Sequence, residues 1–223
     1  MKAGNIPYTE ASQISDVIPI FPLTGALLLP GGQIPLNIFE PRYLKMIEDA
    51  MSGDKLIGMI QPNLKGEMDN ENRPKLSNIG CIGRLTTFQE TGDGRYLISL
   101  SGICRFRVIE ELNVNTEYRQ CKIEAFEEDL KDHTNGNDVN RDALLAAFKK
   151  YLNANDIEAD WDVIEETDNA TLVNGLSMMS PYEPAEKQAL LEAKDLNKRA
   201  ETLIAISEFY LAAGHDDNPN KLN

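Results

Sequence analysis

Few side chains in this 223-residue sequence are of a type and spacing that could do chemistry. The two histidines, His133 and His215, stand in polar segments with no nucleophile beside them in a recognisable motif, and both read as solvated. Three cysteines, Cys81, Cys104 and Cys121, are separated by 23 and 17 residues with no CxxC pair, the spacing that zinc or redox chemistry favours. Cys104 alternates with Phe106 and Val108, and Cys121 with Ile123 and Ala125, so the cysteines read as small buried hydrophobes on strands in preference to ligands or redox groups. That reading implies a reducing, cytoplasmic setting. There is no GxSxG elbow, no HExxH helix and no GxxxxGK(S/T) phosphate loop. A serine nucleophile also needs a positioned base and an oxyanion hole, and nothing here supplies the set. No catalytic, cofactor-binding or metal-binding residue is assigned, and no cofactor is expected.

The charged residues have structural readings first. Glu40 and Arg42 flank Pro41 and suit a helix cap or an ion pair, in preference to a ligand-binding carboxylate. Arg84, Arg105 and Arg107 fall on strands, where alternation points Arg105 and Arg107 away from Cys104, Phe106 and Val108, toward a solvated strand face rather than an arginine clamp. Asp160 before Trp161 reads as an N-cap. The carboxylates Glu127, Glu128, Asp129, Asp132, Asp138 and Asp142 read as a solvated run. With 22 basic and 36 acidic residues the net charge is −14, so nucleic acid and anionic membrane surfaces are repelled, and solubility is the plain reading of the excess. No apolar run approaches the about 18 residues that a membrane span needs. The opening MKAGNIPYTEASQIS lacks the continuous apolar stretch of a secretory signal.

The elements that must position these residues change character near residue 130. Ile18, Ile20 and Phe21 read as a short strand and Leu27 to Leu29 as a buried one, with Pro30-Gly31-Gly32 as a turn before alternating Ile34, Leu36 and Ile38. Pro41 suits the first position of a helix that carries Tyr43, Leu44, Ile47, Ala50 and Met51 and stops at Gly53. Further strands are expected over 56–60, 79–88, 95–101, 103–110 and 117–127, with Asp93-Gly94 as a type I′ hairpin turn and 61–77 as an exposed loop. After the polar linker 131–137 the period becomes helical. Leu144, Leu145, Phe148, Tyr151 and Leu152 make one apolar face, and helices are expected over 161–166, 170–179, 185–193 and 196–213, the last carrying a stripe of Leu196, Ala200, Leu203, Ser207 and Tyr210. Pro184 suits a helix start and Gly214 a stop.

The order of several segments resembles the N-terminal, substrate-recognition domain of the Lon ATP-dependent proteases, in its free-standing form. The matching pieces are IPIFPL, LLPGGQIPLNIFEPRY at 28–43, IGMIQP at 57–62, IGCIGRLTTF at 79–88, GRYLISLSGICRFRV at 94–108 and MSPYEPAEKQALLEA at 179–193. The resemblance implies an α+β fold, a PUA-like β pseudo-barrel with an inserted helix that packs on the strands, followed by an α-helical bundle. The organisation expected is a disordered 1–15, the barrel at 16–130, a linker at 131–137, the bundle at 138–214 and a disordered tail at 215–223. Full-length Lon proteases add an AAA+ ATPase and a Ser-Lys peptidase, and this chain is expected to lack both.

The function implied is a non-catalytic module that binds unfolded or hydrophobic polypeptide segments, or a protein partner, as an adaptor in protein quality control. Flexible methionines suit such recognition. Leu27, Leu28, Leu29, Met178, Met179, Pro181 and Tyr182 are the candidate surface, against ordinary packing of the same residues. A hydrolase with an unrecognised site, and a small-molecule pocket in the barrel, are the other two readings.

Overall fold

The computed structural model describes residues 1–131, 138–154 and 158–216, the last four as backbone only. Its opening segment is ordered where the sequence suggests disorder. Strands β1 (Lys2–Ala3) and β2 (Ile6–Pro7) form a small ribbon. The Met1 amine donates to the carbonyls of Tyr8 at 3.0 Å and Leu130 at 3.1 Å, and Ala3, Tyr8 and Ile14 are buried. Three apolar side chains so far apart set up no period in the sequence, yet each finds a place against the barrel.

Six strands build the main sheet: β3 (Val17–Pro22), β4 (Gln33–Ile38), β5 (Leu56–Ile60), β6 (Ile79–Glu90), β7 (Tyr96–Glu111) and β8 (Arg119–Ala125), in the spatial order β4-β7-β6-β5-β3-β8. All neighbours are antiparallel except β3 and β5. Because β7 also pairs with β8, five strands close into a barrel and β4 lies outside the ring on the first half of β7. One 16-residue strand replaces the two expected over 95–101 and 103–110. It turns the corner at a bulge, where Ile82 faces Cys104 and Gly83 faces Gly102, leaving Ile103 unpaired. Gly102 also exchanges hydrogen bonds with Gly31 and Gly32, and a Cβ there would collide with the Leu29 carbonyl. Inside the barrel Phe106 is fully buried against Gly58 and Gly80, whose missing side chains make room for its ring.

Leu27 to Leu29, expected as a strand, belong to no strand and are simply buried. The β6–β7 hairpin does form, but Asp93 is not in the left-handed region; Gly92 and Gly94 are, at φ 78° and 84°, so the connection is a longer loop and not a type I′ turn. Helix α1 (Pro41–Ser52) starts on its proline and packs on the sheet through Tyr43, Met46, Ile47 and Ala50. Phe21 meets Tyr43 edge-on at 4.5 Å, and the Tyr118 hydroxyl donates to Asp49 at 2.9 Å.

The remaining α-helices among the described residues are α2 (Arg141–Ala154), α3 (Trp161–Glu166), α4 (Asn169–Met179), α5 (Pro184–Glu192) and α6 (Leu196–Asp216). Asp160 caps α3 as expected, Asp168 caps α4, and a capping box of Glu183 and Glu186 opens α5 beside Pro184. On α6 the stripe is real, with Ala200, Leu203 and Ser207 buried. The helix runs past Gly214 to Asp216, since an interior glycine costs only about 1 kcal/mol. Of the expected linker only Lys131 is described, and His133 and the tail beyond Asp216 lie outside the described residues. One continuous apolar cluster joins Leu28, Leu29, Met46 and Ile47 of the barrel side to Tyr151, Val173, Leu190 and Leu203 of the bundle. No described helix is long and apolar enough to cross a membrane.

Candidate functional site

Of the seven residues named from sequence as a binding surface, five belong to or pack against the apolar core and two face solvent. Leu27, Leu28, Leu29 and Tyr182 are buried, with Leu29 at 0% exposure, so they cannot greet a partner without unfolding. Met178 is half-buried, its sulfur filling the space where Gly32 has no Cβ. Asn174, one turn earlier on α4, donates to the Pro30 carbonyl at 3.0 Å. The 27–32 segment is therefore the seat of α4 on the barrel. Pro181 is exposed, and Met179 stands out at 86%, the one large apolar side chain of this set that faces solvent.

The seam between barrel and bundle is bonded by side chains reaching backbone atoms. Arg105, read from alternation as solvated, is 3% exposed. Its guanidinium grips Asp129 with two parallel 2.8 Å bonds, and its own backbone N–H donates to the same carboxylate at 2.8 Å. Its Nη1 donates to the carbonyls of Leu191 and Ala193, and its Nη2 also to that of Lys194, at and just past the end of α5. Arg199 lies nearby on α6, donating to Leu190 O at 2.9 Å and Asn174 Oδ1 at 2.9 Å; burial, and then the neighbouring Arg105, lower its pKa to about 10. Gln61 completes the seam, accepting from Gly25 N–H and donating to the Pro184 carbonyl at 2.9 Å. Arg107 is exposed beside Glu124, and Glu40 and Arg42 form an exposed ion pair at 2.8 Å, without a side-chain cap on α1.

Cys81, Cys104 and Cys121 are free and buried. Burial pushes the thiols of Cys104 and Cys121 up to about 12 and raises that of Cys81 well above its usual value. Thiolate is the reactive form, so a thiol reagent at about pH 8 is expected to label none of the three until the protein is unfolded. The same shifts bear on alkaline stability. Below the unfolded value of 9.0 both states keep these protons; from there to about 12 the unfolded chain releases them while the folded protein does not. Stability is therefore expected to fall with rising pH across that window, checked by urea melts, and a flat profile would contradict the burial. Among the described residues, no group of three or more His, Cys, Asp or Glu could hold a metal ion.

A separate cleft of about 330 Å³ opens on the barrel where three segments meet. One wall is the 69–73 part of the long loop, the second is the β7–β8 connection, and the third is the first turn of α1. Ile20 and Pro22 line its base. The walls are tied by one ionic chain: Arg73 donates to Asp69 at 2.8 Å and lies 3.4 Å from Glu111, while Arg119 donates to Glu111 at 2.7 Å and to the Pro74 carbonyl at 2.7 Å. The backbone N–H of Arg73, and then its guanidinium, hold the Asp69 carboxyl below its usual pKa. Tyr43 carries the Arg42 guanidinium over its ring at 4.5 Å. On the same loop Leu64 and Met68 are exposed. Sequence reading missed this site because its residues come from segments up to 99 positions apart, Ile20 to Arg119, and none carries a local motif.

Comparison with known proteins gives a consistent assignment. Residues 17–206 match the family model of the ATP-dependent protease La (LON) substrate-binding domain. The chain is 28% identical over 201 residues to Lon protease 2 of Myxococcus xanthus, covering 86% of this chain and 24% of the relative. It is 32% identical over 211 residues to Lon protease of Parabacteroides distasonis, covering 89% and 24%. It thus spans about a quarter of the length of these relatives. The fold is similar to the Lon N-terminal domain protein from Xanthomonas campestris, with a TM-score of 0.61 at 24% identity over 85% of this chain and 97% of that one. It is similar also to the N terminal domain of Mycobacterium avium complex Lon protease, with a TM-score of 0.59 at 17% identity over 86% and 98%. The match takes in the barrel closed through a bent β7, the inserted α1 and the bundle as far as the first half of α6, and the chain belongs to the ATP-dependent protease La (LON) substrate-binding domain family.

Proposed function

We propose that this chain is a non-catalytic recognition module that holds segments of unfolded polypeptide, serving in the cytoplasm as an adaptor in protein quality control. The family match supports this most directly, because the matched part of the Lon relatives is the substrate-binding domain. The chemistry agrees with holding rather than cutting. The buried cysteines have raised pKa values, opposite to what a nucleophile needs, and the buried carboxylate Asp129 is fully engaged by Arg105. Binding to any one segment is weak, since a few apolar contacts must offset the ordering of a flexible chain.

The test is a titration of the purified chain into a fluorescently labelled, permanently unfolded polypeptide, without ATP. Anisotropy is expected to rise and saturate, and peptides rich in apolar and aromatic residues should compete while polar ones do not. Indifference to peptide hydrophobicity would contradict the reading. So would cleavage of the labelled polypeptide in excess of the protein added.

A further inference from the structure

We propose that the cleft between residues 69–73, the β7–β8 connection and the start of α1 is the polypeptide site, and that it takes an extended segment of neutral or basic character through that segment's main chain. The inference rests on the reading that this chain binds polypeptide, and adds where and what kind.

The β7–β8 connection supplies the first argument. Leu112 still pairs with the sheet, its N–H donating to Gln120 O, but the backbone N–H groups of Asn113, Val114, Asn115, Thr116 and Glu117 donate to no protein acceptor among the described residues. Asn113, Val114, Thr116 and Glu117 line the cleft. An extended peptide laid along this wall would accept from those of the N–H groups that face it, with affinity coming from the main chain and little demand on sequence. That tolerance is what a module facing many unfolded chains requires.

Apolar contact is available beside it. Pro22, Leu112 and Val114 are half-buried cleft residues, so a peptide side chain could cover them. The volume of about 330 Å³ is at the small end of ligand sites and suits one or two side chains of a passing segment better than a folded partner.

Charge selects the segment. Asp69, Glu71, Glu111 and Glu117 line the cleft against Arg42, Arg73 and Arg119, four carboxylates to three guanidinium groups, in a chain of net charge −14. Arg73 is already met by Asp69, Glu71 and Glu111, Arg119 by Glu111, and Arg42 by Glu40. Asp69, Glu71 and Glu111 are matched in the same pairs, which leaves Glu117 as the lining carboxylate with no ion-pair partner among the described residues; an acidic segment would meet a repulsive field and no unmatched cation, whereas a lysine or arginine would find Glu117.

The experiment uses the whole chain and a short labelled apolar peptide carrying lysines, alongside one with aspartates in their place and one with N-methylated alternate amides. Asn113→Trp fills the cleft, Val114→Pro removes one wall N–H without adding bulk, and Met179→Ala alters an exposed apolar side chain on α4 as a control. The lysine peptide is expected to bind, the aspartate and N-methylated peptides to bind about tenfold or more weakly, Asn113→Trp and Val114→Pro each to lose about tenfold, and Met179→Ala to stay within about twofold. Folding of each variant is checked by circular dichroism. If both cleft variants are folded and bind as the parent does, or if the aspartate peptide binds as well as the lysine one, the cleft assignment is overturned while polypeptide binding stands. If the parent binds no peptide at all, the functional reading falls first and the cleft with it.

Discussion

Asp129→Ala is expected to lower the free energy of unfolding by about 3–5 kcal/mol, because it removes the carboxylate paired with the buried Arg105 guanidinium. Arg105 is 3% exposed and Asp129 8%, so water cannot replace the lost carboxylate. The loss is compounded by a backbone N–H, that of Arg105, which donates to the same carboxylate. Arg105 also holds the end of α5, so the damage should spread along the seam rather than stay local. Replacing both partners with apolar residues, Arg105→Met with Asp129→Leu, should cost less than either single change, since no buried charge is then orphaned. Urea melts followed by the single tryptophan, Trp161, report on the bundle, and circular dichroism on the whole chain. A loss below about 1 kcal/mol for Asp129→Ala would mean that the pair is solvated and the seam looser than described.

Leu29→Ala is expected to cost about 2–5 kcal/mol, the range for truncating a fully buried leucine. Leu29 is at 0% exposure, its carbonyl lies against Gly102 at the corner of β7, and α4 sits on the turn that follows it. Met179→Ala, in contrast, should fall within about 0.5 kcal/mol of the parent, as exposed positions usually do. The pair decides between two roles for the 27–32 segment. Should Leu29→Ala leave stability intact and weaken polypeptide binding instead, the segment would be a recognition surface after all and its burial a closed state of the protein.

Much of the fold was legible because the local signals were strong and independent. Pro41 and Pro184 marked helix starts, Asp160 marked a cap, and the stripe on α6 gave the buried face of the longest helix. Strand alternation along 104–108 also put Arg105 on the correct side, the outside of the barrel. What alternation cannot tell is whether the outside is wet. Here the bundle covers it, so an arginine that reads as solvated is among the most buried charges of the protein. The bend of β7 was hidden for a related reason. Gly102 looks like the end of a strand, and becomes a corner only because the 29–32 segment crosses close above it. Leu27 to Leu29 are buried and Met178 lies against Gly32, so their apolar character goes with a packing seam. The cleft had no sequence signal, since its ionic chain of Asp69, Arg73, Glu111 and Arg119 is assembled by the barrel's closure.

Hydrogen exchange read by mass spectrometry, on the chain alone and with a saturating unfolded polypeptide, tests the central claim most directly: recognition happens at the barrel cleft and leaves the bound polypeptide intact. Slower exchange is expected across 112–118 and the 61–77 loop, with no change across 27–32 or 176–182, and the polypeptide is expected to be recovered at its full mass. Protection confined to 27–32 and 176–182, or recovery of the polypeptide as fragments, would contradict it.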